Sequence, residues 1–165
     1  MLIALLSDTH DNAAATRAAL ALLAPHQPAA YIHAGDLVEP DMLDLFADLP
    51  PESFHFVFGN NEFDHPALIA RAAELQLHCH GRFADLTLAG KRIAVTHGHE
   101  PKVLEQSLFS RQYDYLIHGH THVRRDERRG RTRIINPGAL HRTRAKSVVL
   151  LDLATDTLRF LEIAA

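Results

Sequence analysis

Five times along this chain a short apolar run of strand length stops at an acid, an amide or a histidine, and a glycine accompanies four of the five stops. The runs end in Asp8-Thr9-His10, Gly35-Asp36, Gly59-Asn60, His97-Gly98-His99 and Gly119-His120-Thr121-His122. Taken alone, an acid and a histidine after a strand are turn residues, with Asp8 closing an Asx-turn. Repetition changes the reading. In parallel-stranded α/β proteins the C-terminal strand ends share one edge of the sheet and form the site there. A chain with five such ends is constrained to bring them together.

The intervening segments fit that constraint. Asn12 is an N-cap for a helix stopped near Pro25 and Pro28, a second helix is expected over Asp41 to Leu49 before Pro50-Pro51, and a third over Pro66 to Leu77. This alternation with short loops argues a sheet of parallel strands. From Phe83 the rhythm changes: Leu86 to His97 reads as two strands around an Ala-Gly-Lys turn, and Pro101 to Arg111 as a helix before the strand Tyr113–Ile117. Four more strands are expected, at about 123–128, 132–135, 147–153 and 157–163, the last two joined by a turn at Ala154-Thr155-Asp156. The expected fold class is α/β, a layered α-β-β-α sandwich of two mixed sheets flanked by helices.

At 165 residues and 47% hydrophobic content the chain is read as a single domain, 1–165, without linker or repeat. One cysteine, Cys79, allows no internal disulfide and suits a reducing compartment. No basic leader with a cleavage site is seen, and no apolar run approaches the roughly 18–20 residues of a membrane span, so the expected location is the cytoplasm, with no membrane partner. The net charge of −3 is unevenly distributed. Residues 124–146 carry nine basic and two acidic side chains, a local +7 that leaves −10 on the rest. This stretch is expected to be chiefly a solvated face, with a phosphate-steering rim as the alternative. It contains no aromatic side chain for base stacking, and long nucleic acid is not an expected partner.

The strand ends together offer Asp8, His10, Asp36, Asn60, His97, His120 and His122: two carboxylates, an amide oxygen and four imidazoles, with no thiolate. Such donors suit divalent ions of intermediate hardness, Mn²⁺ first, with Ni²⁺, Co²⁺, Fe²⁺ or Zn²⁺ as alternatives. Seven ligands are too many for one such ion and suit two.

The motifs, in their order and spacing and with the Asn136-Pro137-Gly138 turn that follows, resemble the calcineurin-like metallophosphoesterases, most of all the short bacterial and archaeal phosphodiesterases. The resemblance implies one metal among Asp8, His10, Asp36 and His122 and a second among Asp36, Asn60, His97 and His120. It also implies a phosphodiesterase whose nucleophile is a hydroxide shared by the two ions. Two divalent ions with two carboxylates and a hydroxide leave about one positive charge, which favours a phosphate ester.

Asn61 departs from the pattern, since many relatives carry a histidine there that serves as proton donor. An amide cannot transfer that proton but can donate a hydrogen bond to a phosphoryl oxygen. The expected substrates are therefore small diesters with good leaving groups or strained cyclic nucleotides. His99 is the candidate to supply the missing acid. Glu62 is read as a hydrogen-bond orienter, His33 and His118 as buried structural residues, and Phe54, Phe56 and Phe58 as core. His26, His55, His65, His78, His80 and His141 have no motif context and are read as structural or surface residues. Exposed strand edges are where a homo-oligomer would form. The rival from another class is a non-catalytic interaction scaffold, which the fold also resembles; a repair-type nuclease is disfavoured because an accessory domain is missing.

Overall fold

The computed structural model describes residues 1–164. Every residue of β1 (Leu2–Leu6) is apolar, and successive side chains point to opposite faces, which places that strand between two cores. Ile3 and Leu5 face the space between two sheets, whereas Ala4 and Leu6 face helices. Burial on both faces is why the strand reads as a continuous apolar run rather than an alternating one.

The chain then runs through helix α1 (Ala13–Leu23), β2 (Ala30–His33), a 3₁₀ segment Pro40–Phe46, β3 (Phe54–Phe56), helix α2 (His65–Glu74) and β4 (His78–Cys79). The hairpin β5 (Phe83–Leu88) and β6 (Lys91–Thr96) precedes helix α3 (Pro101–Phe109) and β7 (Tyr115–Ile117). Strands β8 (Arg125–Arg129), β9 (Thr132–Asn136), β10 (Ser147–Asp152) and β11 (Thr157–Glu162) complete it.

One sheet has the order β11-β10-β1-β2-β3-β4, the other β5-β6-β7-β9-β8. Strands β1 to β4 pair in parallel, as do β6-β7-β9, while β10, β11, β5 and β8 run antiparallel to their neighbours. Both sheets are mixed, as the sequence led us to expect. Between them lie Ile3, Leu5, Ile32, Val57, Ile93, Val95, Ile117 and Ile135. Beneath α1 and α2 lie Leu23, Leu43, Phe46, Phe54, Phe56 and Leu68, and under α3 lie Ala94, Leu116 and Ile134. Each large apolar side chain buried in this way contributes about 1.5–3 kcal/mol, so these layers hold the strand ends in place. The three phenylalanines of the third run are indeed core, with Phe54 stacked on Phe46 at 4.1 Å between ring centroids.

One local expectation is corrected, and one element is added. The segment expected as a helix over Asp41 to Leu49 is 3₁₀, held by bonds such as Met42 N–H to Glu39 O (3.1 Å) and Ala47 N–H to Asp44 O (3.3 Å). Confined between Pro40 and Pro50, it is too short to repay α-helix nucleation. Strand β4 was not anticipated, because two residues carry no alternation. Asn12 does cap α1, its Oδ1 accepting from the Ala15 N–H at 3.1 Å.

Candidate active site

The ends of β1, β2 and β3 meet those of β6 and β7 at one rim of the sandwich, and main-chain bonds lace the loops that follow. Asp8 N–H donates to Gly35 O (3.0 Å), His10 N–H to Asp36 O (3.0 Å) and Gly119 N–H to His97 O (2.9 Å). Asp8, His10, Asp36, His120 and His122 all have φ between +41° and +69°, the left-handed region. Side chains with a Cβ avoid that region at a cost of order 1–3 kcal/mol each, and such strain gathers at functional sites. The motif glycines have a different reason. A Cβ at Gly59 would run into the Asp36 carboxylate, and one at Gly119 into the Ser7 hydroxyl and the carboxylate of Asp8. Glycine there lets the loops close onto the two acids.

Asp8 is fully buried. Its Oδ2 accepts from Ser7 Oγ (2.6 Å) and from the His120 N–H (3.1 Å), which turns Oδ1 toward the centre. There Oδ1 lies 3.1 Å from His122 Nε2, 3.8 Å from His10 Nε2 and 3.9 Å from His97 Nε2. Asp36 Oδ1 accepts from the backbone N–H groups of Asn60 and Asn61, both at 3.0 Å. Its Oδ2 sits 3.3 Å from His10 Nε2 and 3.2 Å from His97 Nε2 and accepts from the Asn61 side-chain amide at 2.7 Å. Two overlapping donor groups result, Asp8-His10-His122 and Asp8-Asp36-His97. His120 packs edge-on against His97 at 5.2 Å between ring centroids. Asn60 is exposed at the rim and reaches Asp36 through its main chain.

Three buried atoms of this cluster, Asp8 Oδ1, His10 Nε2 and His97 Nε2, have no hydrogen-bond partner. Buried polar atoms are rarely left so, and three facing one another are the donor set a divalent cation satisfies. His97 is already in the ligand tautomer: Nδ1 donates to Ala34 O at 2.8 Å, which leaves Nε2 aimed at the carboxylates. Burial opposes the charge on Asp36, yet the His97 imidazole and the Asn61 amide outweigh it and hold the carboxyl below its ordinary range. Burial likewise opposes ionisation of Asp8, which His10 and Ser7 overcome. The Asp8 carboxylate raises His10, and Asp36 raises His97 against its burial. A cation here would compete with any proton taken up by these imidazoles. The residues fit a metal.

Glu62 is buried and accepts from the N–H groups of Leu37, Val38 and Gly59 (2.7 Å for the last), tying the second strand-end loop to the third. Burial pushes its carboxyl up. It orients loops, as read from sequence. His33 is fully buried between the Gly35 N–H and Thr9 Oγ1, and His118 donates to Gly119 O; both are structural. Asn136 Nδ2 donates to Gly119 O (2.9 Å) and Thr121 Oγ1 (3.1 Å), which steadies the loop carrying His120 and His122. His99 stands 5.5 Å from His97 and 6.2 Å from His120 between ring centroids, with Nε2 3.4 Å from Glu100 Oε1.

His141 and Arg142 were not anticipated as site residues. The loop after Asn136 folds back so that Leu140 N–H bonds Asp8 O (3.2 Å) and the Asn12 amide bonds Leu140 O (3.0 Å). His141 thereby comes within 5.1 Å of the His10 ring centroid. With His10, Asp11, Val38, Asn61, Phe63 and Arg142 it lines a cleft of about 320 Å³, and Phe63 is 83% exposed there. The basic stretch divides at the same point. Arg124, Arg125, Arg128, Arg129, Arg131 and Arg133 are each paired with a carboxylate, whereas Arg142, Arg144 and Lys146 form no ion pair among the described residues. The β8–β9 part is a solvated face whose arginines are paired, partly with Asp114, Asp156 and Glu162 from other elements, and the unpaired charge lies in the loop beside the centre.

A two-sheet sandwich that gathers buried aspartates and histidines at its strand ends defines a class of metal-dependent ester hydrolases. The family model described as the calcineurin-like phosphoesterase superfamily domain matches residues 1–156, and the chain belongs to that superfamily. It is 30% identical to a phosphodiesterase of Methanocaldococcus jannaschii over 139 residues, 84% of this chain and 83% of that one. Among solved structures, an archaeal phosphodiesterase superposes with a TM-score of 0.91 at 28% identity, covering 98% of this chain and 99% of the other. A phosphoesterase from E. coli superposes with a TM-score of 0.71 at 21% identity, covering 99% of this chain and 100% of its own, a likeness of fold. No described helix is long and apolar enough to cross a membrane.

Proposed function

We propose that this chain is a phosphodiesterase acting on small diesters with two divalent cations, Mn²⁺ being the best match to its mixed oxygen and nitrogen donors. Asp8, His10 and His122 would hold one ion and Asn60, His97 and His120 the other, with Asp36 shared. The observation that carries this reading is the set of facing, partnerless buried atoms on Asp8, His10 and His97 around the Asp36 carboxylate. Such ions supply Lewis acidity and an acidified water able to attack phosphorus near neutral pH.

The chain's own groups do the rest. Asn61 gives one amide hydrogen to Asp36 and keeps the second for a phosphoryl oxygen. His99, beside His97, is the group to protonate a leaving oxygen; burial pulls its pKa down, so its acid form is the minor one near neutral pH. Arg142 offers a charge-assisted bond to a non-bridging oxygen, and exposed Phe63 offers a face for a base or aryl leaving group. The cleft lies at the small end of ligand-pocket volumes, which suits a cyclic nucleotide or an aryl diester. Long nucleic acid would need a broad free basic track, and most of the arginines here are already paired.

The test is hydrolysis of bis(p-nitrophenyl) phosphate beside p-nitrophenyl phosphate on chelator-stripped protein refilled with Mn²⁺, Ni²⁺, Co²⁺ or Zn²⁺. Metal-dependent turnover with the diester at least about tenfold faster than the monoester supports the proposal. A faster monoesterase would refute the assignment of Asn61, and silence with every metal would turn the reading to an interaction scaffold.

A further inference from the structure

Away from the strand-end centre, three histidines gather at the β4 edge of the first sheet. His55 on β3 and His78 on β4 are registered neighbours, and their rings stack at 4.8 Å with 10° between planes. His80, just past β4, is held beside β3 by its N–H bond to Phe56 O (3.0 Å), and its ring centroid lies 5.3 Å from that of His55. His55 Nδ1 and His80 Nε2 are hydrogen-bonded at 3.1 Å.

We propose that His55 and His80, with His78 as a third ligand, form a second, non-catalytic site for a borderline divalent cation such as Zn²⁺, Ni²⁺ or Cu²⁺, which clips the edge strand β4 to β3. Two nitrogens bound to one ion at about 2.0–2.1 Å in cis positions stand about 3 Å apart, so the pair is already at chelating separation. His78 stacks on His55, with its ring centroid 6.2 Å from that of His80, and would have to turn its side chain to become the third ligand. The histidine–carboxylate pairs among the described residues involve His10, His97, His99 and His122, and none of these three. Cys79 packs against the helix-side core, and burial raises its thiol, so it stays protonated while the histidines on either side supply nitrogen. An all-imidazole set selects nitrogen-seeking ions over Mn²⁺ or Mg²⁺.

Charge and position support the assignment. Burial and the neighbouring imidazoles pull His55 to about 4, and burial lowers His80, so both are neutral near pH 7, and an ion binding there would take the place of the hydrogen bond between them. Strand β4 is two residues long and lies at the sheet edge, paired with β3 alone in its sheet. An ion bridging His55 to His78 and His80 would fasten an edge strand only two residues long to its one neighbour.

The test uses Ni²⁺ as probe on the full chain, comparing wild type with the double variant His55→Gln, His80→Gln. Bound nickel is measured by equilibrium dialysis, and thermal midpoint is followed with and without nickel. The proposal predicts one more bound ion per chain in wild type than in the variant, and a nickel-induced rise in midpoint larger by a few degrees. Should the double variant fail to fold by circular dichroism, His80→Gln alone breaks the chelate while keeping the His55–His78 stack, with the same outcome expected. Equal nickel stoichiometry in wild type and a folded variant overturns it. Neither result depends on phosphodiesterase activity.

Discussion

The two histidine clusters of this molecule are built differently. At the strand-end rim, His10, His97 and His122 surround two buried carboxylates, and five of the residues there sit in left-handed backbone. At the β4 edge, His55 and His78 occupy ordinary strand positions, have no carboxylate partner and impose no left-handed φ. Strain is maintained only where surrounding structure enforces it, and here interlacing main-chain bonds and Glu62 do so. The contrast separates a centre shaped to hold charge for chemistry from a cluster whose nitrogens meet because two strands are in register. Thirteen histidines in the sequence do not make that distinction; their carboxylate neighbours and backbone do.

The sharpest way to break the comparison is Asp36→Ala. With the carboxylate between His10 and His97 gone, diester turnover should fall by about 10³-fold or more, equivalent to about 4 kcal/mol of transition-state stabilisation, while nickel binding at the β4 edge is retained. Loss of both functions together would show that the clusters are not independent. Steady-state kinetics and dialysis on the one variant give both answers.

A smaller effect is expected from Arg142→Ala, which removes an unpaired cation from the cleft and leaves the buried donors untouched. A charge-assisted bond is worth about 1.5–3 kcal/mol, so KM for the diester should rise about tenfold with kcat nearly unchanged. An unaltered KM would remove the 137–146 loop from the substrate site.

The smallest effect concerns His33, which touches no cluster directly. Burial holds it at about 4, well below its unfolded value of about 6.5. The unfolded chain therefore takes up the proton first: stability from neutral His33 is complete above about pH 6.5 and is lost as the pH falls toward 4. Melting midpoints recorded over that window should fall less steeply in His33→Asn than in wild type. Parallel curves would mean that His33 is not the group responsible.

Much of this was legible in the sequence, for identifiable reasons. The seven candidate ligands are polar side chains at the ends of apolar strands, a local pattern, and the rim groups Asp8, His10, Asp36, His97 and His122 from both sheets. Asn136 was visible as part of its turn but not as the group that steadies the Gly119–Thr121 loop. His141 and Arg142 carry no local signal, because a bond between residues 140 and 8 brings them to the site. The β4 cluster was hidden likewise: the partnership of His55 with His78 is a matter of parallel register across an intervening helix, and β4 is too short to show a period. The 3₁₀ segment was misread as an ordinary helix because its apolar spacing suits either geometry over so short a length.

The most direct test of the central claim is the electron paramagnetic resonance spectrum of chelator-stripped protein refilled with Mn²⁺, read alongside the number of ions bound. Two manganese ions per chain with an exchange-coupled signal, reduced to an uncoupled one or lost in Asp36→Ala, is the result this account predicts, since it makes Asp36 the shared ligand. A single uncoupled manganese in active wild-type protein would contradict it.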